Sequence, residues 1–315
     1  MHWCIYGAGA IGGVVGARLA FLGEKVTFIA RGEHLERMQK SGLVLVDPEG
    51  TRLVPVTASS SPADAALSSG DIVILAVKSQ HTADALADLV ATVPAGVRIF
   101  CMQNGIDNER QALRFFADVH GVSVTLLASF TEPGTVVAHS APTVGILQLG
   151  LAAGGTDEGT TLAAEVLRRA GLRVDVSDDV MKYKRLKLIR NLGNAIEIVC
   201  SGPAPALLER MTTEAEGVFS KAGFTLPASD EVVPGPEPVD PSVPRLGGST
   251  LQSLLRASGS IETDFLNGEI AMLGRIYSIP TPVNVLMQQL ARDAATGFRF
   301  RQSLTEADVL AMLGD

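Results

Sequence analysis

A glycine-rich turn lies near the start of the chain, between a short apolar run and a helix-like stretch. Residues 7–12 have the spacing G-x-G-x-x-G and directly follow the run WCIY at 3–6. Gly7 permits a tight turn, Gly9 lets a pyrophosphate approach the backbone, and Gly12 lets the helix pack closely on the sheet. The free N–H groups and positive dipole of a helix N-terminus favour an anion. The turn therefore predicts a dinucleotide site formed by Gly7, Ala8, Gly9, Ala10, Ile11 and Gly12.

Arg31 follows the second predicted strand, KVTFIA at 25–30. Sites for NAD usually place an Asp or Glu here, bonded to the ribose 2′-hydroxyl, and such a carboxylate would repel a 2′-phosphate. A guanidinium instead binds a phosphate through two parallel, charge-assisted hydrogen bonds. Arg31 therefore predicts NADP(H), although the nearby carboxylate of Glu33 argues in the other direction. The alternative is that Arg31 is an ordinary solvated charge.

A row of polar side chains follows one face of a long helix predicted over residues 178–201. Lys187, Asn191 and Asn194 fall at i, i+4 and i+7, and Lys184 extends the row by one turn. Residues at this spacing share one face of an α-helix. An ammonium and two amides on a helix that is otherwise apolar suit a polar ligand in a cleft. A solvated stripe on the outside of a helical bundle is the alternative.

The first half of the chain alternates short apolar runs with helix-like stretches. The runs at 71–77 and 97–102 are almost continuously apolar, which is typical of strands buried on both faces. This alternation predicts right-handed βαβ units and a parallel sheet, with antiparallel strands from 121 to 151 at one edge. The predicted fold class is α/β: an N-terminal Rossmann-type dinucleotide-binding domain over 1–177 and a C-terminal all-helical domain over 178–315.

Composition excludes several classes of protein. Of the 315 residues, 46% are hydrophobic and 19% are charged, which excludes a disordered chain. The net charge of −8 gives no global attraction to nucleic acid or to an anionic membrane. The 3 cysteines and 5 histidines match no metal or redox spacing, and no apolar run is long enough for a transmembrane helix. We therefore expect a cytoplasmic protein without a metal, a nucleic acid or a membrane as partner.

Seven blocks of the sequence share their order and spacing with one known family. The blocks are IYGAGAIGG, VTFIARG, LAVKSQHTADAL, MQNGIDN, EPGTVVAH, KLIRN and STLQSLLRASGSIETDFLNGEI. Over nearly its whole length the chain resembles the 2-dehydropantoate 2-reductases (ketopantoate reductases). The resemblance implies a Rossmann domain and a helical domain that together reduce a 2-keto acid, foremost 2-dehydropantoate, with NADPH to the (R)-2-hydroxy acid. We expect a monomer or a homodimer.

The resemblance also implies a role for each predicted site residue. Lys187 is the catalytic lysine, whose ammonium would stabilise charge on the carbonyl oxygen and donate the proton. Glu262 would hold this lysine or the forming hydroxyl, although an acid in the first turn of a helix is also favoured by the helix dipole. The substrate would contact Asn104, Asn191, Asn194 and Ser249, and the cofactor would contact Asn104 and Lys78. Structural alternatives are an Asn-Gly turn at Asn104 and a solvated lysine at Lys78.

The chain departs from the family pattern on the substrate side. Ala195 stands where the family has its second asparagine, and Asn194 lies one residue earlier. Gly248-Ser249 replaces a pair of serines. We therefore keep two alternatives: a related hydroxyacid or opine-type NADP-dependent dehydrogenase acting on another keto acid, and a non-catalytic NADP(H)-binding sensor. The proline-rich segment 227–248 is predicted to form an irregular loop beside the substrate.

Overall fold

The computed structural model describes residues 1–239, 262–297 and 301–314. The chain divides into two units. Unit 1 comprises Met1–Lys184 and Ala228–Ser242, and unit 2 comprises Arg185–Pro227 and Val243–Asp315. The division falls within a helix, a few residues after the domain boundary that the sequence predicts at residue 177.

Unit 1 is built on two sheets. Its strands are β1 (His2–Tyr6), β2 (Lys25–Ile29), β3 (Leu43–Asp47), β4 (Gly50–Val54), β5 (Thr57–Ser59), β6 (Ile72–Leu75), β7 (Arg98–Cys101), β8 (Val119–Leu126), β9 (Ala128–Glu132), β10 (Thr135–Ala138), β11 (Gly145–Leu151) and β12 (Arg173–Val176). The larger sheet has the strand order β12-β11-β8-β7-β6-β1-β2-β5. Its strands from β5 to β8 are parallel, whereas β11 runs antiparallel to β8 and parallel to β12.

Helices cover the sheet and build unit 2. The helices are α1 (Ala10–Phe21), α2 (Gly32–Ser41), α3 (Thr82–Thr92), α4 (Asn108–Ala112), α5 (Glu158–Arg169), α6 (Val180–Asn191), α7 (Asn194–Val199), α8 (Pro205–Lys221), α9 (Asn267–Tyr277), α10 (Pro282–Ala295) and α11 (Glu306–Met312). No helix of the described residues is both long and apolar enough to cross a bilayer.

The central strands are apolar on both faces because both faces are covered. Along β1, Trp3 and Ile5 belong to one hydrophobic core, while Cys4 and Tyr6 belong to the other. All four residues of β6 are buried. This is the pattern of a parallel sheet packed between two helical layers, and it confirms the predicted α/β fold class with its N-terminal Rossmann-type domain.

The prediction for residues 121–151 was partly wrong. Strands β8 and β11 join the larger sheet as an antiparallel pair, but β9 and β10 leave it for a second sheet of order β4-β3-β10-β9. The reason lies in α1, which is buried on several sides and packs against β9 and β10. A Cβ atom on Gly13 of this helix would lie 2.6 Å from Cγ1 of Val136. The second sheet therefore covers the side of α1 that faces away from the larger sheet.

The long helix predicted over residues 178–201 is interrupted. Helix α6 ends at Asn191 and α7 begins at Asn194, with Gly193 as its N-cap residue. The Leu192 N–H bonds the Ile189 carbonyl at 3.1 Å, which tightens the last turn. Glycine is a poor helix former, costing about 1 kcal/mol relative to alanine within a helix, and the break falls at this residue. Lys187 and Asn194 therefore do not lie on one continuous helix.

The proline-rich segment is described as far as residue 239, and this part packs on unit 1. Nζ of Lys182 lies 2.5 Å from Oε1 of Glu231. The Val239 N–H donates to the His139 carbonyl at 3.1 Å. Residues 240–248 lie outside the described residues, so the place of the whole segment beside the substrate stays a prediction.

Candidate active site

Two of the three motif glycines are required by the fold itself. Gly7 has a φ of +108°, and a Cβ atom there would lie 2.7 Å from the Val77 nitrogen. A Cβ atom on Gly12 would lie 2.1 Å from the Gly7 carbonyl oxygen. A Cβ atom on Gly9 would meet nothing within 4 Å. The protein alone therefore does not explain Gly9, and the open space beside it fits the approach of a dinucleotide pyrophosphate.

The N-terminus of α1 is ready to receive an anion. Gly9 is its N-cap residue and offers no side chain as a cap, and the first turn contains no acidic residue. The first N–H groups of a helix have no acceptor within the helix, and the helix dipole adds positive potential there. The turn and helix together can hold a pyrophosphate.

His34 fixes the glycine turn from the side, a feature that the sequence analysis missed. The Gly134 N–H donates to Nδ1 of His34 at 2.9 Å, and Nε2 lies 2.8 Å from the Ala8 carbonyl oxygen. Since Nδ1 accepts a hydrogen bond, Nε2 carries the proton and donates it to Ala8. Burial lowers the pKa of His34, and the bond to Ala8 only partly offsets this effect. The neutral imidazole thus ties the glycine turn to the hairpin between β9 and β10.

Arg31 lies just beyond the carboxyl end of β2, as predicted, and is exposed at the N-cap of α2. The hydroxyl of Tyr6 lies at the end of the neighbouring strand β1. That hydroxyl donates to Oδ2 of Asp88 at 2.8 Å. Burial, together with Asp88, raises the pKa of Tyr6 to about 12. Because Tyr6 pairs with Ile29 in the sheet, Arg31 lies close to the end of β1, where the glycine turn begins.

Glu33, the residue that argued against a 2′-phosphate, is paired along its own helix. Its Oε1 lies 3.6 Å from Nη2 of Arg37, and both side chains are exposed.

Lys78 and Asn104 lie beyond the carboxyl ends of two neighbouring parallel strands, β6 and β7. The Asn104 carbonyl accepts a bond from Oγ of Ser79 at 3.1 Å and one from Nδ2 of Asn108 at 2.8 Å. These bonds join the loop after β6 to the loop after β7. Because β1, β6 and β7 are adjacent and parallel, the glycine turn, Lys78 and Asn104 share one edge of the sheet. Ligands of open α/β sheets bind at this edge.

The predicted polar row does not include Lys184. Its side chain is 2% exposed and is ion-paired with the equally buried carboxylate of Glu109. The structure therefore separates Lys184, which lies in the interior of unit 1, from Lys187, which is half-buried and belongs to unit 2.

Unit 2 carries the other predicted catalytic and substrate-binding residues that the structure describes. Lys187 and Asn191 are half-buried near the end of α6, and Asn194 is the half-buried first residue of α7. Glu262 is 7% exposed and begins a short 3₁₀ turn, Glu262–Phe265. Both α7 and this turn pack against α10. Ser249 lies outside the described residues.

A buried amide network fixes the start of α10. Asn267 and Asn284 are fully buried, and Nδ2 of Asn267 donates to Oδ1 of Asn284 at 3.1 Å. The carboxylate of Glu214 accepts bonds from the N–H groups of Val283 and Asn284 at 2.8 and 2.9 Å. Glu214 thus satisfies N–H groups that the helix itself leaves free.

A histidine between two carboxylates lies at the amino end of β8. Nε2 of His120 lies 3.1 Å from Oδ1 of Asp157, and Nδ1 lies 3.3 Å from Oδ1 of Asp118. Asp157 also caps α5 by accepting the Thr160 N–H at 2.7 Å. The capping bond and the contact with His120 give this group a structural explanation away from the carboxyl edge of the sheet.

The strand order, the glycine turn and the open helix N-terminus define a protein with a Rossmann-type dinucleotide-binding unit and a second, helical unit. Two family models extend this assignment over most of the chain. The model described as "Ketopantoate reductase PanE/ApbA" matches residues 3–153, and its C-terminal counterpart matches residues 180–295. The chain belongs to the ketopantoate reductase family.

Individual relatives agree over nearly their full lengths. The 2-dehydropantoate 2-reductase of Archaeoglobus fulgidus is 31% identical over 303 residues, covering 93% of this chain and 97% of the relative. That of Pyrococcus horikoshii is 29% identical over 298 residues, covering 91% and 95%. The crystal structure of a PanE/ApbA family ketopantoate reductase from Ralstonia eutropha has a TM-score of 0.79 at 26% identity, covering 95% and 99%. The chain is therefore similar to these enzymes in both of its units.

Proposed function

We propose that this enzyme reduces 2-dehydropantoate to (R)-pantoate with NADPH in pantothenate biosynthesis. The observation that carries the proposal is the match of both halves of the chain to the ketopantoate reductase family. The relatives that are 29–31% identical are 2-dehydropantoate 2-reductases and align over more than nine-tenths of this chain. The site residues of both units support the same reaction.

The cofactor would lie along the carboxyl edge of the larger sheet. The pyrophosphate would lie against Gly7–Gly12 and the free N–H groups of α1, in the space that Gly9 leaves open. Lys78 and Asn104, at the ends of β6 and β7, would contact the ribose and the nicotinamide. NADPH supplies the hydride that the keto carbon receives.

Arg31 supports NADPH over NADH. The exposed guanidinium stands where an NAD site has a carboxylate, and Glu33 is turned to Arg37. A guanidinium can hold the two charged oxygens of a 2′-phosphate in parallel bonds.

Lys187 would act as the general acid. Hydride transfer to a ketone carbon places negative charge on the oxygen, and an ammonium within hydrogen-bonding distance stabilises that charge and donates the proton. Glu262 would orient the ammonium or the forming hydroxyl. Asn191, Asn194 and Ser249 would bind the carboxylate and hydroxyl oxygens of the substrate, and Asn104 would orient the keto acid beside the nicotinamide.

The test is NADPH consumption with 2-dehydropantoate and with a panel of branched and linear 2-keto acids. We expect 2-dehydropantoate to be the best substrate. A better rate with another keto acid would favour a related hydroxyacid dehydrogenase. A requirement for an added amino acid would favour an opine-type enzyme, and NADPH binding without any turnover would favour a sensor.

We also propose that the enzyme works in the cytoplasm as a monomer or homodimer, with no nucleic acid or membrane as partner.

A further inference from the structure

A buried ammonium closes the loop that follows β7. Lys184 and Glu109 are each 2% exposed and form an ion pair inside unit 1. Nζ of Lys184 also donates to the carbonyls of Cys101 and Gln103, at 3.3 and 3.0 Å. The ammonium has three donors, and these three acceptors account for all of them.

The two carbonyls lie on either side of the point where the chain leaves the sheet. Cys101 is the last residue of β7, and Met102 still donates its N–H to Leu75 of the neighbouring strand at 2.9 Å. Gln103 directly precedes Asn104. The ammonium therefore bonds the backbone at two of the last three residues before Asn104.

A second layer of bonds holds Asn104 through its main chain. Its carbonyl accepts from Ser79 and from Asn108, the residue next to Glu109. Nε2 of Gln103 donates to Oγ1 of Thr82 at 2.7 Å, and Thr82 donates to Oδ1 of Asn108 at 2.7 Å. Among the described residues, these bonds use the Asn104 carbonyl and not its side-chain amide.

We propose that Lys184 is a positioning residue, which together with Glu109 sets the path of residues 101–104 and so the place of the Asn104 amide. The proposal rests on the proposed function, in which Asn104 orients the nicotinamide and the keto acid. A buried ion pair is weak evidence for stability, because an apolar pair of similar volume is often as stable. An apolar pair cannot hold the two carbonyls. Replacing the ion pair by an apolar pair therefore separates an effect on folding from an effect on positioning.

The decisive variant combines Lys184→Met with Glu109→Leu, which removes both charges and keeps the volume similar. We expect this double variant to fold and to bind NADPH within a few fold of the native enzyme. Its kcat should fall by roughly 10- to 100-fold, the order of loss that a displacement of about 1 Å produces. The matched control is Lys182→Met on the same helix, which loses the pair with Glu231 and the contact of the ammonium with the Tyr183 ring, and should keep the native kcat.

Coupling to Asn104 distinguishes positioning from a merely structural role. Asn104→Ala should lower kcat strongly in the native enzyme and hardly at all in the double variant, because the amide is already displaced there. Additive losses, or a native kcat in the double variant, would overturn the proposal. If the double variant fails to fold, Glu109→Gln keeps the shape of the side chain and carries the same coupling test.

Amide hydrogen exchange at Gln103, Asn104 and Gly105 gives a readout that does not depend on turnover. We expect faster exchange at these residues in Glu109→Gln or the double variant, and no change within β7. Unchanged exchange would refute the positioning role even if the native enzyme reduced 2-dehydropantoate. Absence of native turnover would refute the proposed function instead, so the two failures are distinguishable.

Discussion

An alanine at Gly9 should weaken cofactor binding without harming the fold, whereas an alanine at Gly12 should harm the fold. The two glycines belong to the same motif and lie three residues apart. The Cβ atom of an alanine at Gly9 meets no protein atom within 4 Å, and the backbone φ of −71° suits any residue. At Gly12 the same atom would lie 2.1 Å from the Gly7 carbonyl oxygen and 3.0 Å from Cγ2 of Ile5.

The magnitudes follow from these distances. At Gly9, alanine is a poorer N-cap than glycine. Alanine also lowers the conformational entropy of the unfolded chain, which stabilises the folded protein by about 0.4–1 kcal/mol. The two effects oppose one another, so the free energy of unfolding should change by less than about 1 kcal/mol. If the pyrophosphate fills this space, the methyl group costs about 1–3 kcal/mol of overpacking, or roughly 5- to 150-fold in Kd. At Gly12 the methyl group meets backbone, so the free energy of unfolding should fall by about 3 kcal/mol or more.

Two assays on each variant separate these outcomes. Urea denaturation gives the free energy of unfolding, and fluorescence titration with NADPH gives the Kd. The native fold with weakened NADPH binding is the expected result for Gly9→Ala. Native affinity in this variant would mean that the cofactor does not approach Gly9, and the placement of the pyrophosphate would be refuted.

Three further predictions concern residues around the two sites. Arg31→Ala should weaken NADPH binding by roughly 10- to 100-fold, the loss of about 1.5–3 kcal/mol from charged hydrogen bonds, and leave NADH binding unchanged. Equal loss for both cofactors would contradict the role of Arg31. The pKa of His34 in the folded protein lies below its ordinary value of 6.5. The contribution of the neutral His34 to the free energy of unfolding should therefore be fully present above pH 6.5 and should decline as the pH falls from 6.5 towards the folded pKa. His34→Gln keeps a donor for Ala8 but does not titrate, so its urea-derived pH profile should be shallower, with a residual slope from His2, whose pKa is also lowered; an unchanged profile would exclude His34 as the cause. Glu214→Ala should lower the free energy of unfolding by about 2 kcal/mol and reduce Tm, since it leaves the N–H groups of Val283 and Asn284 without their acceptor; a native Tm would show that this cap is dispensable.

The features that depend on local sequence could be predicted. The apolar runs at β1, β6 and β7 gave a parallel sheet because strands buried on both faces must be continuously apolar. The G-x-G-x-x-G spacing placed the turn between β1 and α1, since two of its glycines are sterically required there. Arg31, Lys78 and Asn104 were predicted as site residues because each lies within two residues of the end of a predicted strand, and their roles stay predictions.

The features that depend on distant contacts could not be predicted. The second sheet packs on the side of α1 that faces away from the larger sheet. Strand propensity alone does not predict which of the two sheets a strand joins. Lys184 and Lys187 look equivalent in sequence, and only the position of Glu109, 75 residues away, makes the former a buried ion pair. Gly193 indicates a break between α6 and α7, because glycine is a poor helix former. The apolar pattern on both sides of Gly193 nevertheless favoured one continuous helix. The roles of Lys187, Glu262 and Ser249 stay predictions.

The most direct test of the central claim is the steady-state reduction of 2-dehydropantoate by NADPH, measured for the native enzyme and for Lys187→Ala. We predict rapid turnover by the native enzyme and a kcat lowered by roughly 10²- to 10⁴-fold in the variant, with the NADPH Kd unchanged. A variant that retains the native kcat would contradict Lys187 as the general acid. A native enzyme that binds NADPH but turns over neither 2-dehydropantoate nor any other 2-keto acid would contradict the account as a whole.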